Sequence, residues 1–111
     1  MQQIRGDTRR YFFQRLDKNG EPITILPDKI YFTVKKSYTD KNPVFQKTIE
    51  DFEIEAETGM YHFTVEPDDT NELKYATYVY DIEVITDDVK TTIAKGGFTI
   101  EPEVTFAENE V

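Results

Sequence analysis

Apolar and polar residues alternate along most of this chain, and this alternation restricts its fold more than any other feature. It is clearest in three segments, IYFTVKK at 30–36, MYHFTVE at 60–66 and YVYDIEV at 78–84. Because successive side chains of an extended backbone leave on opposite sides, a period of two predicts strands with one buried face. The residues on that predicted face are Ile30, Phe32, Val34, Tyr61, Phe63, Val65, Tyr78, Tyr80, Ile82 and Val84.

Three shorter segments carry the same pattern, VFQKTIE at 44–50, FEIEA at 52–56 and GGFTIEP at 96–102. Each aligns two apolar residues, which is enough to predict a short strand. The aligned pairs are Phe45 with Ile49, Phe52 with Ile54, and Phe98 with Ile100.

The segment RRYFFQRLD at 9–17 is compatible with two registers. In one register Tyr11 and Phe13 face the core, and in the other Phe12 and Leu16 do. A β-bulge, which adds one residue to a strand, would serve both. We therefore predict a strand here and leave open which side chains it buries.

Turn signals separate these runs. The segment DKNGEP at 17–22 places Gly20 where a tight turn needs a positive φ, which glycine adopts without steric strain. The segment PDDTNELK at 67–74 begins with Pro67 and two aspartates. This is typical of the first turn of a short helix, because proline presets φ and carboxylates meet free N–H groups there. Leu73 would then anchor that turn to the core.

About seven short strands, with one short helical turn before the penultimate strand, predict an all-β, immunoglobulin-like β-sandwich of antiparallel strands. Tyr78 lies where such folds place a tyrosine corner. The Cys–Trp–Cys signature of antibody domains is missing, since the chain has no Cys and no Trp. We expect one domain over residues 1–106, a polar tail at 107–111, and the last strand, about 89–101, as an exposed sheet edge.

The charge is strongly acidic and unevenly distributed. The net charge of −9 disfavours nucleic acid as a partner, and no apolar run approaches the length of a bilayer span, so we expect no membrane partner either. Residues 1–47 contain ten Lys/Arg and five Asp/Glu, whereas residues 48–111 contain three and seventeen. Either the two halves attract each other within one fold, or the basic part of one molecule docks on the acidic part of a neighbour.

The residues needed for catalysis are scarce, so we predict that the chain is not an enzyme. Its single histidine, His62, lies in a strand opposite the apolar face, where a surface position is expected. Its single serine, Ser37, lies at the end of another strand. Nothing in the sequence brings these two together as a nucleophile and a base.

No cofactor or metal site is predicted. The sequence DKNG lacks the spacing and the closing glutamate of a calcium loop. Asp68–Asp69 and Asp87–Asp88 would form a weak Ca²⁺ site only if folding brought them together. Gly96–Gly97 is followed by no Lys-Ser/Thr phosphate motif, and we interpret it as a bulge or a close approach of strands.

The sequence RGDT at 5–8 contains the tripeptide that integrin ligands display at a loop tip. Here it lies directly before the strand that begins near Arg9. A match of three residues has a high chance rate, and Gly6 and Asp7 suffice as the bend that enters this strand. We therefore predict a turn and not an adhesion site.

Several longer segments together resemble a known family. They are RGDT, DKNGEPI, FTVKKSYTDKNPVFQKTI, TGMYHFTVEPDDTNELKYATYVYDIEV and KGGFTIEPEVT, and they cover roughly residues 5–105. They are similar to small bacteriophage and prophage proteins, and to the immunoglobulin-like N-terminal domain of the phage baseplate upper protein family. The most specific pieces are Glu66–Thr70 with Tyr78–Ile82, and the closing Phe98–Thr105.

The resemblance implies a non-catalytic structural or assembly module of a phage tail or baseplate. Its implied partners are other phage structural proteins or further copies of itself, a possible homo-oligomer, through edge-strand or charge-complementary contacts. Its implied location is the virion, or the host bacterial cytoplasm during assembly. The resemblance transfers no functional residue to a numbered position, so the partner-binding residues stay unknown at this point.

A carbohydrate-binding module for attachment to the host surface is the alternative on the same fold. Such sites use exposed aromatic rings, and Tyr31, Tyr38 and Tyr75 are available in strands or turns. Tyrosine is also common on ordinary sheet surfaces, so this alternative rests on analogy between folds.

Overall fold

The computed structural model describes residues 1–103, which form two β-sheets packed face to face. Residues 104–111, including the predicted tail at 107–111, lie outside the described residues. The strands are β1 (Gln2–Ile4), β2 (Arg9–Gln14), β3 (Lys29–Lys35), β4 (Phe45–Lys47), β5 (Phe52–Glu55), β6 (Met60–Val65), β7 (Ala76–Thr86) and β8 (Val89–Glu101). A 3₁₀ turn (Ile49–Asp51) precedes β5, and a short helix, α1 (Pro67–Thr70), precedes β7.

One sheet has five strands in the order β1-β8-β7-β3-β4, and the other has three in the order β2-β6-β5. Neighbouring strands pair antiparallel except β1, which pairs with β8 in parallel. The order β2-β6-β5 corresponds to strands B, E and D of an immunoglobulin domain, and β8-β7-β3-β4 corresponds to G, F, C and C′. Strand β1 departs from that arrangement, because it pairs with β8 and not with the sheet that contains strand B. The predicted all-β sandwich with a helical turn before its penultimate strand is confirmed.

Aromatic rings fill the space between the two sheets. The ring of Phe32 is fully buried, and its centroid lies 4.5 Å from that of Phe63 and 6.0 Å from that of Phe98. Tyr11 stacks on Phe63 with the centroids 5.4 Å apart. Because large rings bury the most apolar surface per residue, this cluster dominates the packing energy of the domain.

The strand faces follow the predicted alternation, and the residues predicted to point inward are buried or half-buried. In β2 the structure selects one of the two possible registers. Tyr11 is buried and Phe13 packs against the core, whereas Phe12 and Leu16 are 61% and 54% exposed. The pairing of β2 with β6 is continuous, so no bulge serves both registers.

The connection from β6 to β7 also forms as predicted. At the start of α1, the Asp69 carboxylate accepts a hydrogen bond from the N–H of Glu66 at 2.7 Å. Leu73 packs against the core, and the hydroxyl of Tyr78 donates to the O of Lys74 at 2.9 Å, which is the expected tyrosine corner. Within residues 1–103, no helix has the length and apolarity needed to cross a bilayer.

Strand β1 was not among the predicted strands. Its central residue, Gln3, is 1% exposed, and its Oε1 accepts a hydrogen bond from the Tyr11 hydroxyl at 2.7 Å. Its Nε2 donates to the O of Asp7 at 3.0 Å. Buried amides need such partners, so Gln3 fixes β1 against the start of β2.

The prediction that β8 is an exposed edge is wrong for its second half. Strand β1 pairs with β8 at residues 99–101. Residues 89–95 have no strand on that side within the described part of the chain. A bulge there leaves Ile93 without a partner on β7, and Lys90 and Lys95 are exposed. Bulges and lysines are the features by which native sheets discourage pairing at an edge, so this segment is a protected edge.

The glycine pair in β8 allows a close approach of strands. A Cβ atom on Gly97 would lie 3.2 Å from Cγ2 of Thr77, and one on Gly96 would lie 3.4 Å from the ring of Tyr80. The bulge predicted as an alternative lies nearby, at Ile93.

The buried hydroxyl of Tyr61 leads to a stability prediction. Tyr61 is 1% exposed, and its hydroxyl finds no hydrogen-bond partner within residues 1–103. Removing a buried, unsatisfied polar group removes its desolvation penalty. We expect Tyr61→Phe to leave the free energy of unfolding unchanged or to raise it by up to about 1 kcal/mol, measured by urea denaturation.

Tyr11→Phe is the matched control, because Tyr11 is also a buried tyrosine but its hydroxyl is bonded to Gln3. Burial raises the pKa of Tyr11. Loss of the hydroxyl leaves the Gln3 Oε1 without a donor, so the free energy of unfolding should fall by about 1–2 kcal/mol. A loss for Tyr61→Phe as large as that for Tyr11→Phe would show that the Tyr61 hydroxyl is satisfied in solution.

Candidate interaction surface

The sequence RGDT forms the turn that joins β1 to β2. The N–H of Asp7 donates to the O of Ile4 at 3.1 Å, and Gly6 has a φ of 82°, as the third position of a type II turn requires. The N–H of Gly6 also donates to the hydroxyl of buried Thr70 at 2.9 Å. The predicted bend before a strand is confirmed.

The arginine of this turn is engaged within the domain. Its guanidinium lies 3.3 Å from Oε1 of Glu103, donates to the O of Leu73 at 3.4 Å, and stacks 4.2 Å above the ring of Tyr75. Hydrogen bonds from the Glu103 backbone and from Arg5 hold the pKa of Glu103 below its usual value. Arg5 is therefore not displayed as an adhesion loop would display it.

His62 is buried, which corrects the prediction of a surface histidine. It is 8% exposed, its Nδ1 lies 3.3 Å from Oε2 of Glu53, and its ring centroid lies 5.6 Å from that of Phe12. Long side chains from the two neighbouring strands cover it on the outer face of the three-stranded sheet. Ser37 follows β3 in the other sheet, and its hydroxyl lies 3.2 Å from that of Thr39. The fold therefore keeps the single serine and the single histidine on different sheets.

The two aspartate pairs lie at opposite ends of β7. Asp68–Asp69 belong to α1, before the strand, and Asp87–Asp88 form the turn after it. A strand of 11 residues spans roughly 36 Å at about 3.3 Å per residue, so these carboxylates do not converge. Asp69 forms an ion pair with Lys47 at 2.7 Å. Residues 1–103 contain no cluster of three or more side chains suited to a metal ion.

The DKNG segment forms the predicted turn. Oδ1 of Asp17 accepts hydrogen bonds from the N–H groups of Asn19 at 2.8 Å and Glu21 at 3.0 Å. Gly20 has the expected positive φ, at 81°. The carboxylate therefore closes a local loop.

The three tyrosines considered for carbohydrate binding are spread along the five-stranded sheet. Tyr31 pairs with Glu83 on β7, whereas Tyr75 directly precedes the first residue of β7. Position 83 lies eight residues after Tyr75, so Tyr31 and Tyr75 are roughly 26 Å apart along the direction of β7. Tyr38 lies in the loop after β3, and its hydroxyl is 3.5 Å from the O of Gly96. The fold does not assemble these rings into one platform.

An apolar groove of about 560 Å³ opens between the two sheets, along the side where β2 and β8 are neighbours. Strand β1 covers this side only at the end of β8. Its apolar lining includes Phe13, Leu16, Ile23, Ile82, Ile93 and Ala94. Leu16 lines the groove and is more than half exposed. Phe12 is also more than half exposed, but its ring lies on the outer face of the three-stranded sheet, beside His62. Open apolar surface of this kind is a candidate for contact with another molecule.

The double register of RRYFFQRLD was the sequence signal for this surface. A strand with one buried face can bury only one of its two apolar pairs. The core uses the pair Tyr11 and Phe13, so Phe12 and Leu16 remain exposed.

The outer strands of the three-stranded sheet carry opposite charges. Within residues 1–103, no other strand pairs with the outer edge of β2 or of β5. The segment 9–16 around β2 contains three arginines and no acid, whereas the segment 50–57 around β5 contains five carboxylates and no base. Ion pairs also join the basic and acidic halves inside the fold, as Lys47 with Asp69 and Arg5 with Glu103. The internal attraction predicted from the charge pattern thus coexists with two charged edges.

No family model and no curated protein sequence matches this chain. The groove and the two edges are therefore interpreted from their own geometry.

Proposed function

We propose that this chain is a non-catalytic structural module of a bacteriophage tail or baseplate, and that it acts through contacts with other proteins. The observation that carries the proposal is the open apolar groove beside β2, with Leu16 exposed at its rim and Phe12 exposed on the outer face of β2. The resemblance of residues 5–105 to phage baseplate proteins supports the setting.

A protein partner suits this surface better than a small ligand does. Small-molecule sites bury most of the ligand in a concave pocket with a few convergent polar groups. Here the groove is open along one side and continues into the edge of β2, whose outer N–H and C=O groups pair with no strand of residues 1–103. An apolar groove beside an unpaired backbone is the combination that an added strand or a neighbouring sheet occupies.

The alternative, a carbohydrate-binding module for host attachment, gains no support from the positions of the three tyrosines, which lie at separate levels of the sheet. A clear hit on a glycan array would favour it over the assembly module.

Mass spectrometry of purified phage particles tests the assembly proposal. We expect the chain in the particles at a fixed copy ratio to the tail proteins. A variant carrying Phe12→Asp and Leu16→Asp should lose incorporation, because charges at these two exposed apolar positions oppose burial of the surface around β2. Tyr38→Ala, at an exposed tyrosine away from the groove, should be incorporated normally. Particles of normal composition that lack the wild-type chain would refute the proposed role.

A further inference from the structure

We propose that copies of this chain assemble head to tail, with the basic β2 edge of one copy against the acidic β5 edge of the next. The partner of the assembly module is then a second copy of the chain, an inference that rests on the proposed function. The three-stranded sheet would then continue from copy to copy.

Both outer strands of the three-stranded sheet, β2 and β5, have a free edge in the described part of the chain. Strand β2 lies at one side of the three-stranded sheet and β5 at the other, with β6 between them. Within residues 1–103 each pairs only with β6, so each offers one row of backbone N–H and C=O groups. Unpaired rows of this kind are templates for another strand. The free part of β8 is protected by its bulge and lysines, whereas the pairing of β2 and β5 with β6 is regular.

Charge determines which edge can pair with which. Pairing two β2 edges would oppose arginine with arginine, and pairing two β5 edges would oppose glutamate with glutamate. Like charges directly across a sheet are destabilising, and opposite charges are stabilising. Of the three possible edge pairings, only β2 with β5 brings opposite charges together. A second copy supplies both edges, so the chain is complementary to itself.

The side chains of β5 also fit beside β2. On β5 the residues that face the core are Phe52 and Ile54, and Ile54 is only half-buried. A β5 strand placed beside β2, with its core face on the same side, brings Ile54 over the apolar groove. The outward residues Glu53 and Glu55 then lie beside Arg10, whose side chain forms no hydrogen bond or ion pair within residues 1–103.

The geometry makes the contact heterologous, because the two edges are different surfaces of one copy. Such contacts propagate in one direction and produce a ring when the rotation closes, or a filament when it does not. We therefore expect higher oligomers and not a symmetric dimer.

Reversing or introducing charges at the two edges of the full chain tests the pairing. One variant carries Arg10→Glu and Phe12→Glu on β2, and a second carries Glu53→Lys and Glu55→Lys on β5. Each should weaken self-association by at least about tenfold in analytical ultracentrifugation, since each creates like-charge contacts across the edge. A chain with all four substitutions should recover association, because the signs are again opposite.

The control variant carries Lys36→Glu and Glu72→Lys, which reverse charge at exposed positions outside β2 and β5. It should associate as the wild type does, and far-ultraviolet circular dichroism should show all variants folded. Salt at 0.5 M, about three times the physiological level, should weaken the wild-type assembly by shortening the range of the edge charges.

Three results would overturn the head-to-tail contact: a wild-type chain that stays monomeric at high concentration, single-edge variants that associate normally, or a four-substitution chain that does not recover. None of them would remove the chain from phage particles in mass spectrometry. Ultracentrifugation and mass spectrometry therefore distinguish failure of the head-to-tail contact from failure of the proposed function.

Discussion

Replacement of Phe32 by alanine is expected to lower the free energy of unfolding by about 3–5 kcal/mol, the largest single effect in this domain. The Phe32 side chain is fully buried and lies within 6.0 Å, between ring centroids, of Phe45, Phe63 and Phe98. Its removal loses the transfer energy of the ring and leaves a cavity between two sheets that relax only in part. Urea denaturation followed by tyrosine fluorescence measures the change.

Phe12→Ala is the matched control for this prediction. It removes the same ring from a side chain that is 61% exposed, so the unfolding energy should change by less than about 1 kcal/mol. Phe32→Leu keeps part of the side-chain volume, so its loss of unfolding free energy should lie between those of Phe12→Ala and Phe32→Ala. Equal losses for Phe12→Ala and Phe32→Ala would mean that the core is not where the alternation and the structure place it.

The strand faces could be predicted because alternation is a local property. In β3, for example, every second residue from Ile30 to Val34 is apolar, and each of them is buried. One buried face per strand then requires a second sheet to cover it, which gives the sandwich. The tyrosine corner at Tyr78 followed from the same reasoning, since it depends on a short stretch of chain before the penultimate strand.

Features that depend on distant pairings could not be predicted in this way. Strand β1 consists of QQI and shows no alternation, and it is held by its pairing with β8 and by the contacts of Gln3 with Tyr11 and Asp7. The burial of His62 depends on Phe12 and Glu53, which lie on two other strands. Neither neighbour is visible until the pairing of β6 with β2 and β5 is known.

The strand order determines which charged residues lie at the same edge of the sheet. Along the chain, the arginines near β2 and the carboxylates near β5 are simply parts of a basic half and an acidic half. In the sheet, β6 separates them, so they become the two opposite edges of one surface. The sequence could not decide between internal attraction and docking on a neighbour, because it does not show which charges meet inside the fold.

Gly59→Ala is expected to destabilise the fold by about 2–4 kcal/mol, although it adds only one methyl group. Gly59 lies in the turn between β5 and β6 with a φ of 70°, and its N–H donates to the O of Glu55 at 2.8 Å. A Cβ atom there would lie 2.6 Å from the O of Ile23, which is backbone and cannot rotate away. Alanine therefore meets two penalties, an unfavourable φ and a clash that displaces residue 23.

Gly20→Ala separates these two penalties. Gly20 has a similar φ of 81°, but no atom lies within 4 Å of the position of its Cβ. Gly20→Ala should lower the free energy of unfolding only by the conformational penalty, about 1 kcal/mol, in the same urea titration. The difference between the two variants then measures the contact of Gly59 with Ile23. Because Ile23 lines the groove beside β2, Gly59→Ala should also weaken self-association while Gly20→Ala does not. Equal stability losses for both glycines would show that residue 23 does not pack on this turn in solution.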